Sequence, residues 1–574
     1  MTGYGSLAEA LDYAAGGSTG YNFYNGRGEL YSVLPYSALR AEARALALRL
    51  HGLGLPRGSR VALVADTHPD FHRVFFACQY AGLVPVPLPA AVHLGGREAF
   101  VAHLRAMLID CRAVAAFAPD SFVGFLEEAA ADLALRVAGT LEAFKALPAA
   151  DALPTPPRAD DLAYLQYTSG STRFPRGTMI TQRAVLNNLA SILCYGVQLR
   201  RDDRFLSWLP FYHDMGLVGL ILAPVVSQRS VDYLGSRDFA MRPRLWLSLM
   251  TRNRATISFG PPFGYGLCAR RLRDSDIEGF DLSSWRLAGV GAEMIRAGWL
   301  EQFAERLASA GFRREAFIAC YGMAEVSLAV SFAPLSRGIE VDTVDAEHMA
   351  FHGKARPLSG GGRAARFVNC GRPLPDFRVE IRGADGRPLP ERQCGVIHLQ
   401  SPSVMEGYAD NPEATRAALG ADGWLNTGDI GYRVGEDLYL TGRAKDVLII
   451  HGRNIWPQDL EYLAEQQPEV RAEDAAAFSI PAENDGELAV LVVQCREQDP
   501  FRQVALVNRL KQLIQSEFGI HCLIELVPLR TLPRTSSGKL SRSAARRDFL
   551  ERNAGEDGIV ALEARAGSLI ATDD

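Results

Sequence analysis

The chain has no stretch of about 18 consecutive apolar residues, so a membrane-spanning helix is not expected. Its first residues, MTGYGSLAEALDYAAGG, lack the basic start and unbroken apolar core of a secretory signal. Cysteine is sparse. The nine residues from Cys78 to Cys522 are scattered, odd in number and never spaced C-x-x-C, which argues against a disulfide framework or a zinc site. A strong charge of one sign is also missing: a formal net charge of −5 offers no general attraction to nucleic acid or an anionic bilayer, and nucleic acid is not expected as a partner. There is no internal repeat and no carrier-protein motif of the Asp-Ser-Leu type. These absences predict a globular, cytoplasmic protein. What is present in quantity is length, since 574 residues exceed one compact core and imply several domains.

Residues 36–51 (YSALRAEARALALRLH) place apolar side chains at helical spacing. A strand-like run at 60–66, a helical stretch at 71–81 and a second strand-like run at 84–88 follow. Strand, helix and strand in close succession predict α/β layers around a largely parallel sheet, and the alternation returns around 161–230 and 255–330. The Pro-rich segment 151–160 reads as a junction. Segment 336–366 is polar and Gly-rich without a strong period, which suggests an inserted excursion. Short strand-like runs with turn signals over 367–440 predict a small β subdomain, and a further α/β alternation from about 447 predicts a small C-terminal domain ending in a helix and frayed tail at 555–574.

Four segments carry polar chemistry. In LAYLQYTSGSTRFPRG (162–177) an apolar run ends in Thr168, Ser169, Gly170, Ser171 and Thr172, followed by basic residues and Gly177. Small hydroxyl residues and glycines let N–H and O–H groups converge on phosphate oxygens, although the Walker A spacing is absent and a Ser/Gly surface turn is an equal reading for the segment alone. Tyr321-Gly322-Met323-Ala324-Glu325 places a carboxylate just past an apolar strand-like run, where it could hold a Mg²⁺ that accompanies nucleotide phosphates. WLNTGD (424–429) ends in Asp429, a candidate acceptor for ribose hydroxyls, though alone it would pass for a turn. LPRTSSGKL (532–540) sets Lys539 in a loop from which its ammonium could reach a ligand phosphate.

In this order and at these separations, the segments resemble the signature motifs of the adenylate-forming superfamily, which includes acyl-CoA synthetases, luciferases and nonribosomal peptide adenylation domains. The resemblance runs from about residue 30 to 550 and takes in LPFYHDMGL (209–217), GAE (291–293) and GRAKD (442–446). It implies a large N-terminal adenylation domain (1–441) and a small mobile C-terminal domain (442–574) carrying the catalytic lysine. It further implies ATP and Mg²⁺, with Thr168–Thr172 on the phosphates and Glu325 on the metal. Gly291, Ala292, Glu293, Tyr321, Gly322 and Met323 fall to the nucleotide. Asp429 and Arg443 fall to the ribose, Lys539 to the reacting groups and Lys445 to the hinge.

Within the superfamily, Tyr212-His213-Asp214-Met215-Gly216, PPFGYGLCARR (261–271) with DLSSWR (281–286), and GRNIWPQDLE (452–461) are similar to the fatty acyl-AMP ligases. That branch implies His213, Asp214 and Met215 at the acyl pocket, with His213 also a catalytic candidate or simply paired with Asp214. It also implies a fatty acid substrate, an insertion at 336–366 that restrains the C-terminal domain, and transfer to the phosphopantetheine thiol of an acyl carrier protein. An acyl-CoA synthetase and an inactive acyl-adenylate-binding protein are the alternatives. The chain departs from the pattern at Arg176, where many relatives carry Lys, at Gln182 in place of His, and at Gly266 in place of an acidic residue.

Overall fold

The segments with the clearest apolar periods form as expected in the computed structural model, which describes residues 3–90, 96–168, 175–450, 453–481, 487–535 and 539–553. A helix spans Tyr36–Gly52, and strands Arg60–Val64 and Val84–Leu88 flank the helix Pro69–Ala81. That helix carries Pro69 in its first turn, where a missing N–H costs nothing, and ends on Gly82 at φ +67°, a conformation that a Cβ opposes.

The largest sheet has nine strands, and its centre is parallel, as the α/β reading predicts. Strand Phe205–Ser207 pairs with Val231–Leu234 on one side and with Ile257–Gly260 on the other; Leu287–Val290 and Phe317–Gly322 follow in the second direction. The chain therefore reverses its course between Phe205–Ser207 and Ile257–Gly260. A crevice opens at the carboxyl ends of strands at such a switch point, where α/β proteins bind their ligands. A four-stranded parallel sheet (Arg60–Val64, Val84–Leu88, Ala115–Phe117, Ala138–Gly139) forms a neighbouring layer with a core of its own.

Around residues 161–181 the expected parallel alternation gives way to an antiparallel hairpin, Leu162–Tyr167 with Gly177–Thr181, joined by Gly407–Tyr408 from far along the chain. The β subdomain expected over 367–440 is an antiparallel sheet of Arg378–Arg382, Gly395–Gln400, Leu425–Val434 and Asp437–Arg443. Asp429 lies inside its third strand rather than in a turn. Asn426 pairs with His398 and Asp429 pairs with Arg443, and pairing on both sides overrides the turn character of Thr-Gly-Asp.

The C-terminal sheet, Val470–Pro481, Glu487–Cys495 and Cys522–Val527, shows the period of two directly. Ala475, Ala477, Leu491 and Val493 face helix Pro500–Phe518, whereas Phe478, Val490 and Val492 face helix Arg542–Arg552. The excursion at 336–366 is more ordered than its composition suggests, with strand Val341–Asp345, helix Ala346–His352 and strand Ala364–Val368. Its buried residues Val344 and Met349, with Phe367 just beyond it, join Tyr432, Tyr439 and Trp456 in one cluster. Because distant elements complete that apolar face, no local period announces it. Helix Ala346–His352 packs beside the C-terminal segment Arg453–Ile455, with Arg453 over the Phe351 ring at 4.6 Å and Arg363 over Phe518 at 4.2 Å. Among the described residues no helix is long and apolar enough to cross a membrane. The expected tail at 555–574 lies outside the described residues.

Candidate active site

Three loops leave the carboxyl edge of the large sheet, and each carries predicted residues. Strand Leu287–Val290 runs into Gly291, Ala292 and Glu293, strand Phe317–Gly322 into Glu325, and strand Phe205–Ser207 into the segment with His213. Two tight approaches explain small residues here. A Cβ on Gly322 would lie 1.9 Å from the Leu328 carbonyl oxygen, and one on Gly291 would lie 2.8 Å from Cys320 Sγ. Ala292 adopts φ +72°, an uncommon conformation for an L-residue and one that concentrates at functional sites.

These loops border two adjoining cavities of about 400 and 300 Å³. Both are lined by Ala292, Cys320, Gly322, Arg443 and Lys539. The larger has a polar side with Thr168, Arg176 and Glu325 and an apolar recess with Ile192, Leu193, Phe205, Phe259 and Phe332, so it spans the switch point between the two central strands. Two π-helical turns, Ile192–Gly196 and Val218–Leu222, flank the recess and place Ile192 and Gly219 on its wall; such turns are frequent at functional sites. His213 and Met215 also line this cavity. His213 accepts from the Met215 N–H at 3.3 Å and lies 2.7 Å from Asp214 Oδ1, so it has a structural partner as well as a place on the wall. Burial pushes the Asp214 carboxyl up, but the His213 ring and the Lys539 ammonium outweigh it and hold the group below its ordinary value.

The smaller cavity is lined by Glu293, Tyr321 and Asp429. The Tyr321 hydroxyl donates to Asp429 Oδ2 at 2.8 Å, and Arg443 Nε lies 3.0 Å from Oδ1. Burial and the Asp429 charge push the Tyr321 phenol well above its ordinary range. Lys539 stands where the cavities meet, its ammonium donating to the Ala292 carbonyl at 2.6 Å across 247 residues of sequence. Burial lowers its pKa, while Glu293 and Asp214 pull the other way. Glu293 is raised to about 7 by burial and by Glu473 of the C-terminal region. A further tie between the two regions is the ion pair of Arg296 with Glu465.

Glu325 is held by Tyr408, whose hydroxyl donates to Oε1 at 2.8 Å. Burial raises the Glu325 carboxyl above its ordinary value, and that hydrogen bond opposes the rise. Among the described residues no group of three or more His, Cys, Asp or Glu could hold a metal. A single cavity-wall carboxylate such as Glu325 fits Mg²⁺, which binds through one or two carboxylates together with phosphate oxygens and water.

The structure thus brings Thr168, His213, Met215, Ala292, Met323, Glu325, Asp429, Arg443, Lys445 and Lys539 to adjoining walls. Gly177 is not on either wall. It sits in strand Gly177–Thr181, where a Cβ would lie 2.5 Å from Leu165 Cδ2. Ser169, Gly170, Ser171 and Thr172 lie outside the described residues. Tyr408 is the notable residue that sequence reasoning missed, because nothing local marks a tyrosine between Gly407 and Ala409 as a carboxylate partner.

A family model described as AMP-binding enzyme matches residues 21–409. A Caulobacter vibrioides protein, provisionally named an acyl-CoA synthetase, is 46% identical over 96% of each chain. The medium-chain-fatty-acid–[acyl-carrier-protein] ligase JamA of Moorena producens is 32% identical, covering 96% of this chain and 95% of that one. A solved chain from a study of fatty acyl-adenylate ligases of E. coli and L. pneumophila superposes with a TM-score of 0.92 at 47% identity, covering 96% and 99%.

Proposed function

Since the chain belongs to the AMP-binding enzyme family, in its fatty acyl-AMP ligase branch, we propose that it joins a fatty acid to AMP at the expense of ATP and passes the acyl group to a carrier-protein thiol. The observation that carries this reading is the position of Lys539, whose ammonium stands between an apolar recess and a polar cavity lined by Tyr321, Asp429 and Arg443. In the first half-reaction a carboxylate oxygen attacks the α-phosphate and pyrophosphate leaves. Two anions must approach each other, so the site has to supply positive charge and alignment. Lys539 bridges the carboxylate and the α-phosphate. Asp429 and Arg443 take the ribose hydroxyls, with Gly291, Ala292, Glu293, Tyr321, Gly322 and Met323 around the base. Glu325 would hold Mg²⁺, which neutralises phosphate charge when bound. The acyl chain lies in the recess beyond His213 and Met215, where each buried methylene contributes roughly 0.8 kcal/mol.

For the second half-reaction, the C-terminal region turns about Lys445, which withdraws Lys539 and opens a path for a thiol. The docking of segment 341–368 on the C-terminal region supports a restrained swing and hence a protein-bound thiol over free coenzyme A. JamA is named for acyl-carrier-protein ligation, and this too supports that acceptor. The provisional name of the Caulobacter relative favours a second reading, transfer to coenzyme A.

ATP–pyrophosphate exchange across a panel of fatty and aromatic acids is expected to respond to fatty acids. Thioester is then expected with carrier protein and not with coenzyme A; thioester with coenzyme A alone would reverse the acceptor assignment. Lys445→Pro is expected to impair thioester formation more than pyrophosphate release, and an equal loss of both steps would refute the hinge.

A further inference from the structure

The hairpin around the phosphate loop and the carboxylate of Glu325 come from distant parts of the chain, yet one short segment is bonded to both. The hairpin closes at its base where the Thr168 N–H donates to the Arg176 carbonyl at 2.9 Å. Its second strand pairs on the far side with Gly407–Tyr408, and the N–H groups of Glu406 and Ala409 donate to the carbonyls of Met179 and Gly177 at 2.9 and 2.8 Å. The Met405 N–H in the same segment donates to the Glu325 carbonyl at 2.8 Å. Tyr408 itself is buried. Its N–H is held by Thr415 Oγ1 at 2.9 Å and its hydroxyl donates to Glu325 Oε1 at 2.8 Å. The Arg176 guanidinium lies over the same ring, 5.3 Å from its centroid.

A planar guanidinium can stack on an aromatic face while its remaining N–H groups stay directed outward, which an ammonium on a flexible stem does less well. This gives the Arg176 departure from the common lysine a physical counterpart, because the ring beneath it is the one that also grips Glu325. Both Arg176 and Glu325 line the larger cavity. One short segment therefore ties the two together, and within it the Tyr408 side chain touches both functional groups.

We propose that Tyr408 is a positioning residue that holds the Glu325 carboxylate and the Arg176 guanidinium in fixed relation, so that metal and nucleotide phosphates are received together. The proposal rests on the adenylate-forming reading above. The hydroxyl restrains Glu325 and hence the metal and also interacts with Arg176, whereas the ring face supports only Arg176 and hence the phosphates.

Tyr408→Phe keeps the ring and removes only the hydroxyl, whereas Tyr408→Leu removes both. Mn²⁺ titration by electron paramagnetic resonance, with full-length protein and α,β-methylene-ATP, reads metal affinity without turnover. Loss of one hydrogen bond to a charged group predicts a roughly tenfold weaker Mn²⁺ affinity for Tyr408→Phe. Steady-state exchange should show a matching rise in the Mg²⁺ needed for half-maximal rate, relieved by excess metal, with a smaller change in KM for ATP at saturating metal than in Tyr408→Leu. Tyr408→Leu should raise that KM clearly. The ligand-free melting temperature of Tyr408→Phe should match the wild type, which a purely packing role for the hydroxyl would not predict. Equal Mn²⁺ affinity in wild type and Tyr408→Phe would overturn the proposal, as would an unchanged KM for ATP in a folded Tyr408→Leu. Absence of exchange by the wild-type enzyme with every acid would instead sink the adenylate reading, and the Mn²⁺ titration would still judge Tyr408.

Discussion

Replacing Lys539 with alanine is expected to slow pyrophosphate release from ATP and a fatty acid by about 10²–10³-fold, the usual loss when a preorganised charge is removed from a developing anionic centre. The reason is geometric. The ammonium is anchored on the Ala292 carbonyl at 2.6 Å, next to the polar cavity that Asp429 and Arg443 line and the mouth of the apolar recess. Other cations near the site belong to different tasks: Arg443 is engaged with Asp429, and Arg176 lies on the Tyr408 ring. Neither replaces a charge between carboxylate and α-phosphate. Nucleotide affinity should change little, because Tyr321, Asp429 and Arg443 hold one another without Lys539. Pyrophosphate release slowed by that factor, with retained binding of a fluorescent ATP analogue, is the expected pattern. Near-normal pyrophosphate release would remove Lys539 from the reaction.

The second large effect is on stability. His72 is fully buried within an aromatic cage, with ring centroids of Tyr21, Phe211, Phe23 and Tyr233 at 4.2, 4.9, 5.4 and 5.4 Å. Its ring nitrogens make no well-formed hydrogen bond among the described residues. Burial lowers its pKa from 6.5 to about 3, and the His68 backbone only partly opposes this. In the unfolded chain the same imidazole takes up a proton near pH 6.5. Below that pH the unfolded state binds more protons than the folded one, so this group favours unfolding progressively as pH falls toward 3. The loss should reach about 3 kcal/mol between pH 7 and pH 4. Other groups titrate in this range, so the informative quantity is the difference between wild type and His72→Phe in urea midpoint at each pH. The variant is expected to gain steadily on the wild type from pH 7 to pH 4. Parallel pH profiles would show that His72 is protonated or solvated in the folded state.

Much of the candidate site was legible from residue types in order. Glu325, Asp429 and Lys539 each look ordinary alone, and the spacing among their segments is what gave them meaning. The parallel α/β layering was legible for a related reason: apolar runs such as 60–66 and 84–88, which lie in the four-stranded sheet, carry their burial locally. The insertion was not. Val344, Met349 and the adjoining Phe367 are buried by Tyr432, Tyr439 and Trp456, which lie outside the segment. Asp429 looked like part of a turn because Thr-Gly-Asp favours one, and only strands on both sides make it strand.

By itself, the sequence determined the family, the α/β class and the residue types available for chemistry, since these rest on local patterns and their order. Tertiary structure decided which of those residues meet. Lys539 reaches Ala292, Tyr408 joins Glu325 to Arg176, and His72 enters a cage built from strands Gly20–Tyr24 and Val231–Leu234 and the turn at Phe211, far apart in the chain. Such meetings follow from sheet order, strand register and the docking of the C-terminal region. These arise from burial summed over the whole fold, and no single segment carries their trace.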